Sequence, residues 1–316
     1  MSEDPFKRDH APRIGAVETL APGLRVVTAP NAGPMTYTGT RTHIVGEGRV
    51  AVIDPGPADG AHLEALAEAV RGETVEAVLV THSHRDHSAG ARAFADRVEA
   101  PILAHGNPAV ARSPTMARLA QTGAIGGGEG IDPNFRPDTF LREGDRVNGP
   151  DWELQALHTP GHLSDHLCFQ WGLSVFSGDV AMGWATTLIS PPDGDLAAFR
   201  ESITRLLGLS PARLYPGHGA PVDDPEPLLA HLLAHRAERE RQILSTLHDG
   251  ATTIPEIVAR LYADVSPALH GAAARNVLAH LIDLSERGAV DPGGAPGPNS
   301  LFSLTGRKDK DRNETN

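Results

Sequence analysis

Three histidines and one aspartate fall within six consecutive residues, His82-Ser83-His84-Arg85-Asp86-His87. The segment before them, Val75–Val80, is mostly apolar and β-branched, which predicts a buried strand. In an extended chain, residues two apart point to the same side, so His82 and His84 can converge on one ion just past the end of this strand. The pattern therefore predicts a metal site at the edge of a sheet.

Asp86 and His87 follow the turn and face another direction, as ligands of a second ion would. Imidazole and carboxylate groups together favour zinc, and ligand softness makes iron, manganese or nickel weaker candidates. The alternative is a solvated loop that is rich in histidine without binding metal. Ligand-type residues at other predicted strand ends favour the metal site.

The composition allows one large domain or two, because 40% of the 316 residues are hydrophobic, enough for an ordinary core. Cys168 is the only cysteine, so no intrachain disulfide can form, and we predict a cytoplasmic location. Met1–Pro12 is charged and lacks the apolar region of a secretory signal, and no apolar run approaches the ~20 residues of a membrane span. The formal net charge of −12 argues against a surface that attracts nucleic acid everywhere.

Strand patterns alternate with single helix patterns along residues 13–226, which predicts an α/β (α+β) domain of two sheets flanked by helices. Residues 1–12 are predicted to be a disordered lead-in. A turn at Gly46–Gly48 predicts a hairpin. The predicted strands are Gly23–Thr28, Thr42–Val45, Val50–Ile53, Val75–Val80, Pro101–Ala104, Trp152–His158, Leu167–Gln170, Leu173–Ser177 and Arg213–Tyr215. The predicted helices are His62–Val70, Gly90–Arg97 and Leu196–Leu206.

Residues 106–138 interrupt this alternation with a long insertion that contains Gly126-Gly127-Gly128 and few apolar residues. We predict helix around Ala109–Gln121. Long loops in compact domains are often lids or binding loops, and a surface excursion without function is the alternative.

The chain changes character from about Pro227. Residues 227–305 are predicted to form a second domain with a winged-helix outline, and residues 306–316 a disordered tail. Its elements are three helices, Leu228–His248, Ile254–Leu261 and Gly271–Arg287, and two short strands, Gly288–Val290 and Leu301–Leu304.

Four further segments place a ligand-type residue just past a predicted strand, each in a tight turn that contains glycine. Glycine permits backbone geometries that other residues avoid and lets the chain approach an ion closely. The segments are Asp54-Pro55-Gly56, Thr159-Pro160-Gly161-His162, Ser177-Gly178-Asp179 and Pro216-Gly217-His218-Gly219.

The order His-x-His-x-Asp-His, Thr-Pro-Gly-His, Gly-Asp, Gly-His-Gly resembles the metallo-β-lactamase-fold hydrolase superfamily over about residues 20–220. The resemblance implies an αββα sandwich with metals at one rim. The added winged-helix outline and Pro191-Pro192-Asp193-Gly194-Asp195 look like the lactamase-β-like-2 branch, whose members include a mitochondrial endoribonuclease and fungal polyketide thioesterases.

The resemblance also implies a role for each matching residue, and the whole ligand set matches a dinuclear site of the glyoxalase-II-like kind. Asp54 resembles an aspartate that orients a ligand histidine or holds the loop, with a plain turn-forming aspartate as the alternative. Cys168 lies within a strand and does not fit the metal-binding cysteine of true β-lactamases, so antibiotic hydrolysis is not favoured. By this resemblance His82, His84 and His162 hold the first metal, Asp86, His87 and His218 hold the second, and Asp179 bridges both.

The chemistry expected of such a site is hydrolysis, because two divalent ions lower the pKa of a shared water so that hydroxide exists near neutral pH. We predict two zinc ions per chain, with iron or manganese also accepted, and assign catalytic roles to Asp86 and Asp54. The predicted substrate is a small or carrier-linked ester, thioester or lactone. A ribonuclease acting on single-stranded RNA is the main alternative, and a non-enzymatic nucleic-acid-binding regulator is a third.

The C-terminal domain bears on the choice of partner. From Ala230 to Asn316 there are 10 Lys/Arg and 11 Asp/Glu residues. The predicted helix Gly271–Arg287 has only two basic residues of the Lys/Arg type, Arg275 and Arg287. A nucleic-acid-binding helix should be richer in basic residues. The sequence therefore favours a wall or lid for the active site over a nucleic-acid reader, and it leaves a homo-oligomer open.

Overall fold

Two mixed sheets form the centre of the molecule, and the computed structural model describes residues 5–306. In the first sheet, neighbouring strands are antiparallel up to the fourth and parallel from the fourth onwards. Its strands, in spatial and chain order, are β1 (Val17–Ala21), β2 (Leu24–Thr28), β3 (Arg41–Val45), β4 (Arg49–Ile53), β5 (Thr74–Leu79), β6 (Ile102–Ala104) and β7 (Thr139–Phe140).

The second sheet has five strands, of which the last two along the chain are parallel and the other neighbours antiparallel. They are β8 (Arg146–Asn148), β9 (Glu153–His158), β10 (Leu167–Trp171), β11 (Ser174–Gly178) and β12 (Arg213–Pro216), in the spatial order β12-β11-β10-β9-β8. A small third sheet pairs β13 (Val290–Asp291) with β14 (Ser303–Leu304).

Helices cover the outer faces of the two large sheets and build the C-terminal domain. They are α1 (Gly60–Ala69), α2 (Arg85–Ser88), α3 (Ala91–Val98), α4 (Pro108–Ala111), α5 (Pro114–Gln121), α6 (Leu196–Leu209), α7 (Pro225–His248), α8 (Ile254–Leu261) and α9 (His270–Glu286). Helices α1 and α3 pack on the first sheet, and α6 with the start of α7 packs on the second. The predicted αββα sandwich is therefore confirmed.

Strand β4 shows how the sequence generates these layers. Side chains alternate between the two faces of a strand. Val50 and Val52 therefore join the core under the helices, together with Phe94, whereas Ala51 and Ile53 join the core between the sheets. Full burial of a side chain such as Phe94 contributes about 1.5–3 kcal/mol to folding. A strand buried on both faces in this way has no polar alternation, as its sequence predicts.

The strands that end near ligand-type residues end on one edge of each sheet. In the first sheet, β4 is parallel to β5, so the turns after both strands lie side by side. In the second sheet, β11 is parallel to β12. Strand β9 runs in the same direction as β11, because β9 and β11 each pair antiparallel with β10. Five strand ends therefore meet at one rim of the sandwich.

The C-terminal domain shares helix α7 with the two-sheet sandwich. Leu228 and Leu232 of α7 pack with α6, whereas Ile243 and Leu247 belong to a separate core with α8, α9 and the paired strands β13 and β14. The predicted winged-helix arrangement is confirmed, and the boundary predicted between residues 226 and 227 falls inside the first turn of α7.

One segment and three strands differ from the sequence-based expectation. Residues 5–12 of the predicted lead-in lie against the domain: Phe6 packs on His231, and the Lys7 amide donates to the Gly183 carbonyl at 2.8 Å. Strands β1, β7 and β8 were not predicted, because β1 is partly exposed and the other two are too short for periodicity. Residues 1–4 and 307–316 of the predicted lead-in and tail lie outside the described residues.

The predicted insertion packs against the C-terminal domain. Met116, Leu119 and Ile125 enter the same core as α8 and α9.

Within residues 5–306, no helix has the length and apolar character that crossing a membrane requires.

Candidate metal centre

The rim of the sandwich gathers five histidines and two aspartates into two neighbouring groups. Each group brings its possible ligand atoms within 4.8 Å of one another. We call His82, His84, His162 and Asp179 the first cluster, and Asp86, His87 and His218 the second cluster. All seven residues that the sequence proposes as ligands are therefore brought together.

Three imidazole nitrogens converge in the first cluster. The distance from His84 Nδ1 is 3.0 Å to His82 Nε2 and 3.1 Å to His162 Nε2. Ligand nitrogens at about 2.0–2.1 Å from a tetrahedral zinc lie about 3.3 Å apart. The spacing in the first cluster is close to that value.

The second cluster is equally compact and includes a carboxylate. His218 Nε2 lies 3.3 Å from His87 Nε2 and 3.2 Å from the Asp86 Oδ2 atom. Asp86 is the most open of these side chains, at 27% exposed, whereas His87 and His218 are fully buried. Solvent therefore contacts the second cluster at Asp86.

Asp179 lies between the two clusters. Its Oδ2 atom is 3.8 Å from His162 Nε2, 3.9 Å from His82 Nε2 and 3.3 Å from His218 Nε2. Its Oδ1 atom is buried, lies 3.5 Å from His87 Nε2, and accepts no hydrogen bond from residues 5–306. A buried carboxylate oxygen without a donor is costly unless a cation satisfies it.

The outer nitrogens of two of these histidines are fixed by backbone carbonyl oxygens, which can only accept a hydrogen bond. His162 Nδ1 donates to the Leu188 carbonyl at 2.8 Å, and His218 Nδ1 donates to the Gly39 carbonyl at 3.3 Å. When these two rings are neutral, their Nε2 atoms therefore present lone pairs to the centre. Outer-nitrogen hydrogen bonds of this kind are typical of histidines that bind metals.

Asp54 fixes two more histidines from behind the centre. Its carboxylate accepts the His87 Nδ1–H at 2.8 Å, the Thr81 amide at 2.7 Å and the Thr81 hydroxyl at 2.7 Å. Since the Thr81 hydroxyl proton goes to Asp54, His82 Nδ1 donates to Thr81 Oγ1, at 2.9 Å. Asp54 is only 2% exposed, so it acts on the histidines and does not face the open side of the centre.

The charges differ between the clusters. Burial, and next the charge of neighbouring His162, lower the pKa of His84 to about 3. Burial also lowers the pKa of His82 and of His162. Burial also acts to lower the pKa of His218, but the carboxylates of Asp179 and Asp86 outweigh it and raise the pKa to about 9. The first cluster thus offers neutral nitrogens, and the second demands positive charge.

Residues that the sequence did not single out support this arrangement. His166 accepts the Asp179 amide on Nε2 at 3.2 Å, and its Nδ1 lies 3.0 Å from Thr159 Oγ1. Thr81 and the carbonyls of Leu188 and Gly39 were missed as well. A threonine directly before the histidine motif was the one available signal, because a backbone carbonyl carries no residue-type signature.

The insertion covers the centre next to His84. The Asp132 amide donates to the Ser83 carbonyl, and the Arg85 amide donates to the Gly130 carbonyl, both at 2.8 Å. A Cβ atom on Gly130 would lie 3.4 Å from the His84 ring. The insertion therefore forms a wall of the site, and its residues Met116, Leu119 and Ile125 pack against the C-terminal domain.

Cys168 takes no part in the centre. It is buried within β10, and burial raises the pKa of its thiol to about 12. A thiol in this state is neither a ready nucleophile nor a metal ligand.

Gly217 allows the two clusters to approach each other. A Cβ atom there would lie 2.5 Å from Asp179 Oδ1 and 2.6 Å from His87 Cε1. We expect Gly217→Ala to displace both side chains and to lower the metal content per chain below that of the parent, measured by elemental analysis. Gly208→Ala in α6, where an added Cβ meets nothing within 4 Å, is the control. Equal metal content in both variants would contradict this reading of the glycine.

An αββα sandwich with such a histidine and aspartate rim defines a class of metal-dependent hydrolases. The chain belongs to the metallo-beta-lactamase superfamily, whose family model matches residues 41–218. The beta-lactamase associated winged helix domain matches residues 253–295. The superfamily and the C-terminal module predicted from the sequence are thus confirmed, as is the assignment to the hydrolases.

Curated relatives align along most of the chain. The chain is 30% identical to atrochrysone carboxyl ACP thioesterase of Passalora fulva, over 79% of this chain and 71% of that protein. It is 28% identical to the beta-lactamase-like protein 2 homolog of Caenorhabditis elegans, over 88% of this chain and 89% of that protein.

Solved structures share the fold. A metallo-beta-lactamase family protein from Thermus thermophilus is 26% identical, with a TM-score of 0.72 over 90% of this chain and 100% of that one. A beta-lactamase domain protein from Burkholderia ambifaria is 21% identical, with a TM-score of 0.75 over 94% and 96%. Both similarities extend through the C-terminal domain.

Proposed function

We propose that the chain is a dinuclear zinc-dependent hydrolase of an ester, thioester or lactone. The observation that carries the proposal is the position of Asp179, whose carboxylate faces nitrogens of both clusters within 3.9 Å. A carboxylate between two groups of ligands supports a bridge between two ions. Histidine and aspartate donors suit zinc, and iron or manganese also fit this donor set.

In this proposal the first cluster would hold one ion and the second cluster the other, with the Asp179 carboxylate available to both. Divalent ions bound there would supply hydroxide at neutral pH and positive charge for a developing oxyanion. Asp54 and Thr81 keep His87 and His82 turned toward the centre. His166 holds the backbone of Asp179, and the insertion limits the entry of water from the side of His84.

An acyl substrate is supported by the relatives and by the C-terminal domain. Relatives from Passalora fulva and Aspergillus terreus, 30% and 29% identical, are named atrochrysone carboxyl ACP thioesterases. Arg275 of α9 and Arg287, directly after its last residue, are both engaged within the chain. Arg275 donates to Ser190, and Arg287 donates to Asp283 and Glu240. The helix therefore offers few free positive charges to a phosphate backbone.

The buried thiol of Cys168 and the lack of disulfides fit the proposed cytoplasmic location.

A substrate panel tests the proposal. Zinc-loaded protein is offered acyl thioesters, simple esters, lactones, phosphodiesters and single-stranded RNA. We expect turnover of an acyl substrate, and we expect Asp86→Ala to reduce it by more than about 100-fold, beyond the cost of losing an outer partner of a ligand. Asp96→Ala, on the exposed side of α3, is the matched control.

Two outcomes would reject parts of the proposal. If acyl turnover is the same in Asp86→Ala as in the parent, the second cluster has no part in the reaction. If only RNA is cleaved, and the cleavage depends on Asp86, the chain is a ribonuclease.

A further inference from the structure

The peptide unit between Leu188 and Ile189 lies between the first cluster and the C-terminal domain. Its carbonyl accepts the His162 Nδ1–H at 2.8 Å, and its N–H donates to Asn276 Oδ1 at 3.1 Å. A trans peptide unit is planar, and its C=O and N–H point in opposite directions. One rigid unit therefore joins His162 to Asn276 of α9.

Arg236 of α7 reinforces the same connection. Its Nη1 atom donates to Asn276 Oδ1 at 3.2 Å, and its Nη2 atom donates to the Thr187 carbonyl. The guanidinium is 2% exposed and stacks over the Phe199 ring, with 5.2 Å from Cζ to the ring centroid. Asn276 Oδ1 thus accepts both the Ile189 amide and a charged donor, so its own position is fixed.

The residues on either side of this peptide unit are also held. The Thr187 hydroxyl lies 3.0 Å from the carbonyl of Asp179 and donates to it, and Arg275 of α9 donates to Ser190 Oγ at 2.8 Å. Residues 187–191, which we call the 187–191 loop, are therefore held by hydrogen bonds to side chains of α7 and α9. On its other side the loop contacts His162 and the backbone of Asp179, both members of the first cluster.

We propose that Asn276, supported by Arg236, is a positioning residue for His162. Through the 188–189 peptide unit the C-terminal domain sets the direction of the His162 ring, and thereby the affinity of the first cluster for a metal ion. The proposal rests on the proposed function only in that the first cluster binds an ion. It does not depend on which substrate is hydrolysed.

Two substitutions at one position separate this role from ordinary stabilisation. Asn276→Ala removes the acceptor for the Ile189 amide, whereas Asn276→Asp keeps an acceptor oxygen in its place and still pairs with Arg236. Arg287→Ala is the matched control, because Arg287 joins α9 to Glu240 of α7 without a contact to the 187–191 loop.

The first measurement is hydrogen exchange of metal-free protein. Without its acceptor, the Ile189 amide should exchange at least about tenfold faster in Asn276→Ala than in the parent, since exchange requires the hydrogen bond to open. Asn276→Asp and Arg287→Ala should keep the parent rate. This measurement needs neither a bound ion nor a substrate.

The second measurement is zinc affinity by competition with a chromophoric chelator, in an Asp86→Ala background that isolates the first cluster. Loss of an outer partner of a metal ligand costs about 10–100-fold in affinity. Because Asn276 acts through the peptide unit, we expect about tenfold weaker binding in Asn276→Ala, and a change below about twofold in Asn276→Asp and in Arg287→Ala.

The results separate this proposal from the proposed function. An unchanged Ile189 exchange rate in Asn276→Ala would overturn it, even if the Asp86→Ala chain holds no ion. The same loss of affinity in Arg287→Ala as in Asn276→Ala would also overturn it, because general destabilisation would then explain both. If the affinities follow the expectation and no acyl substrate is hydrolysed, only the proposed function fails.

Discussion

Asp179→Asn should leave the chain with at most one metal ion, against the two proposed for the parent, and should reduce hydrolysis by more than about 100-fold. The substitution keeps the size of the side chain and removes its charge. In the parent the carboxylate lies within 3.9 Å of His82 and His162 and within 3.5 Å of His87 and His218. An amide in that position can turn an oxygen to one cluster only, and its NH₂ group would face the other.

Elemental analysis after equilibration with zinc and removal of free metal measures the first effect, and steady-state kinetics on the best acyl substrate measures the second. Asp264→Asn, at an exposed position between α8 and α9, is the control. Two ions per chain and near-parent kinetics in Asp179→Asn would show that this carboxylate does not link the clusters.

Asp54→Ala should weaken metal binding by about 10–100-fold although the side chain never reaches the open side of the centre. It removes the acceptor for the His87 Nδ1–H, the Thr81 amide and the Thr81 hydroxyl. Each buried donor left without a partner costs about 1–3 kcal/mol, less if water enters the space. His87 loses its fixed orientation directly, and His82 loses it through Thr81.

Zinc affinity by chelator competition and urea unfolding of the metal-free chain separate the two consequences. Asp54→Asn should fall between Ala and the parent, because one amide oxygen can still accept the Thr81 N–H. If unfolding becomes easier while zinc affinity stays at the parent value, Asp54 stabilises the loop and does not orient the histidines.

The ligand-type residues could be predicted from the sequence because their signal is local. Each follows an apolar or β-branched strand within a few residues, and a glycine-containing turn marks the strand end. That His82, His162, Asp179 and His218 share one site is implied by the resemblance of their order to the metallo-β-lactamase fold, and not by spacing alone. The structure brings them together in two clusters, with Asp86 and His87 apart from His82 and His84.

The supporting contacts could not be predicted in the same way. Phe6 and Lys7, in a charged segment without periodicity, pack against the domain because of contacts with Gly183 and His231 far along the chain. The middle of the insertion became part of the C-terminal core through Met116, Leu119 and Ile125, a pairing that no local pattern encodes. The sequence pattern of α7 predicts one continuous helix. Only the packing of its start against α6 and of its end against α8 and α9 divides it between two cores.

The sequence by itself determined the fold class and the atoms able to bind metal, since strand periodicity and side-chain chemistry are properties of neighbouring residues. Only the tertiary structure decided how those atoms are oriented. The groups that orient them include the carbonyls of Leu188 and Gly39, and every residue carries the same carbonyl. Which carbonyl meets a histidine depends on the path of the chain, and for Leu188 that path is set by Asn276 and Arg236, 88 and 48 positions further along the sequence.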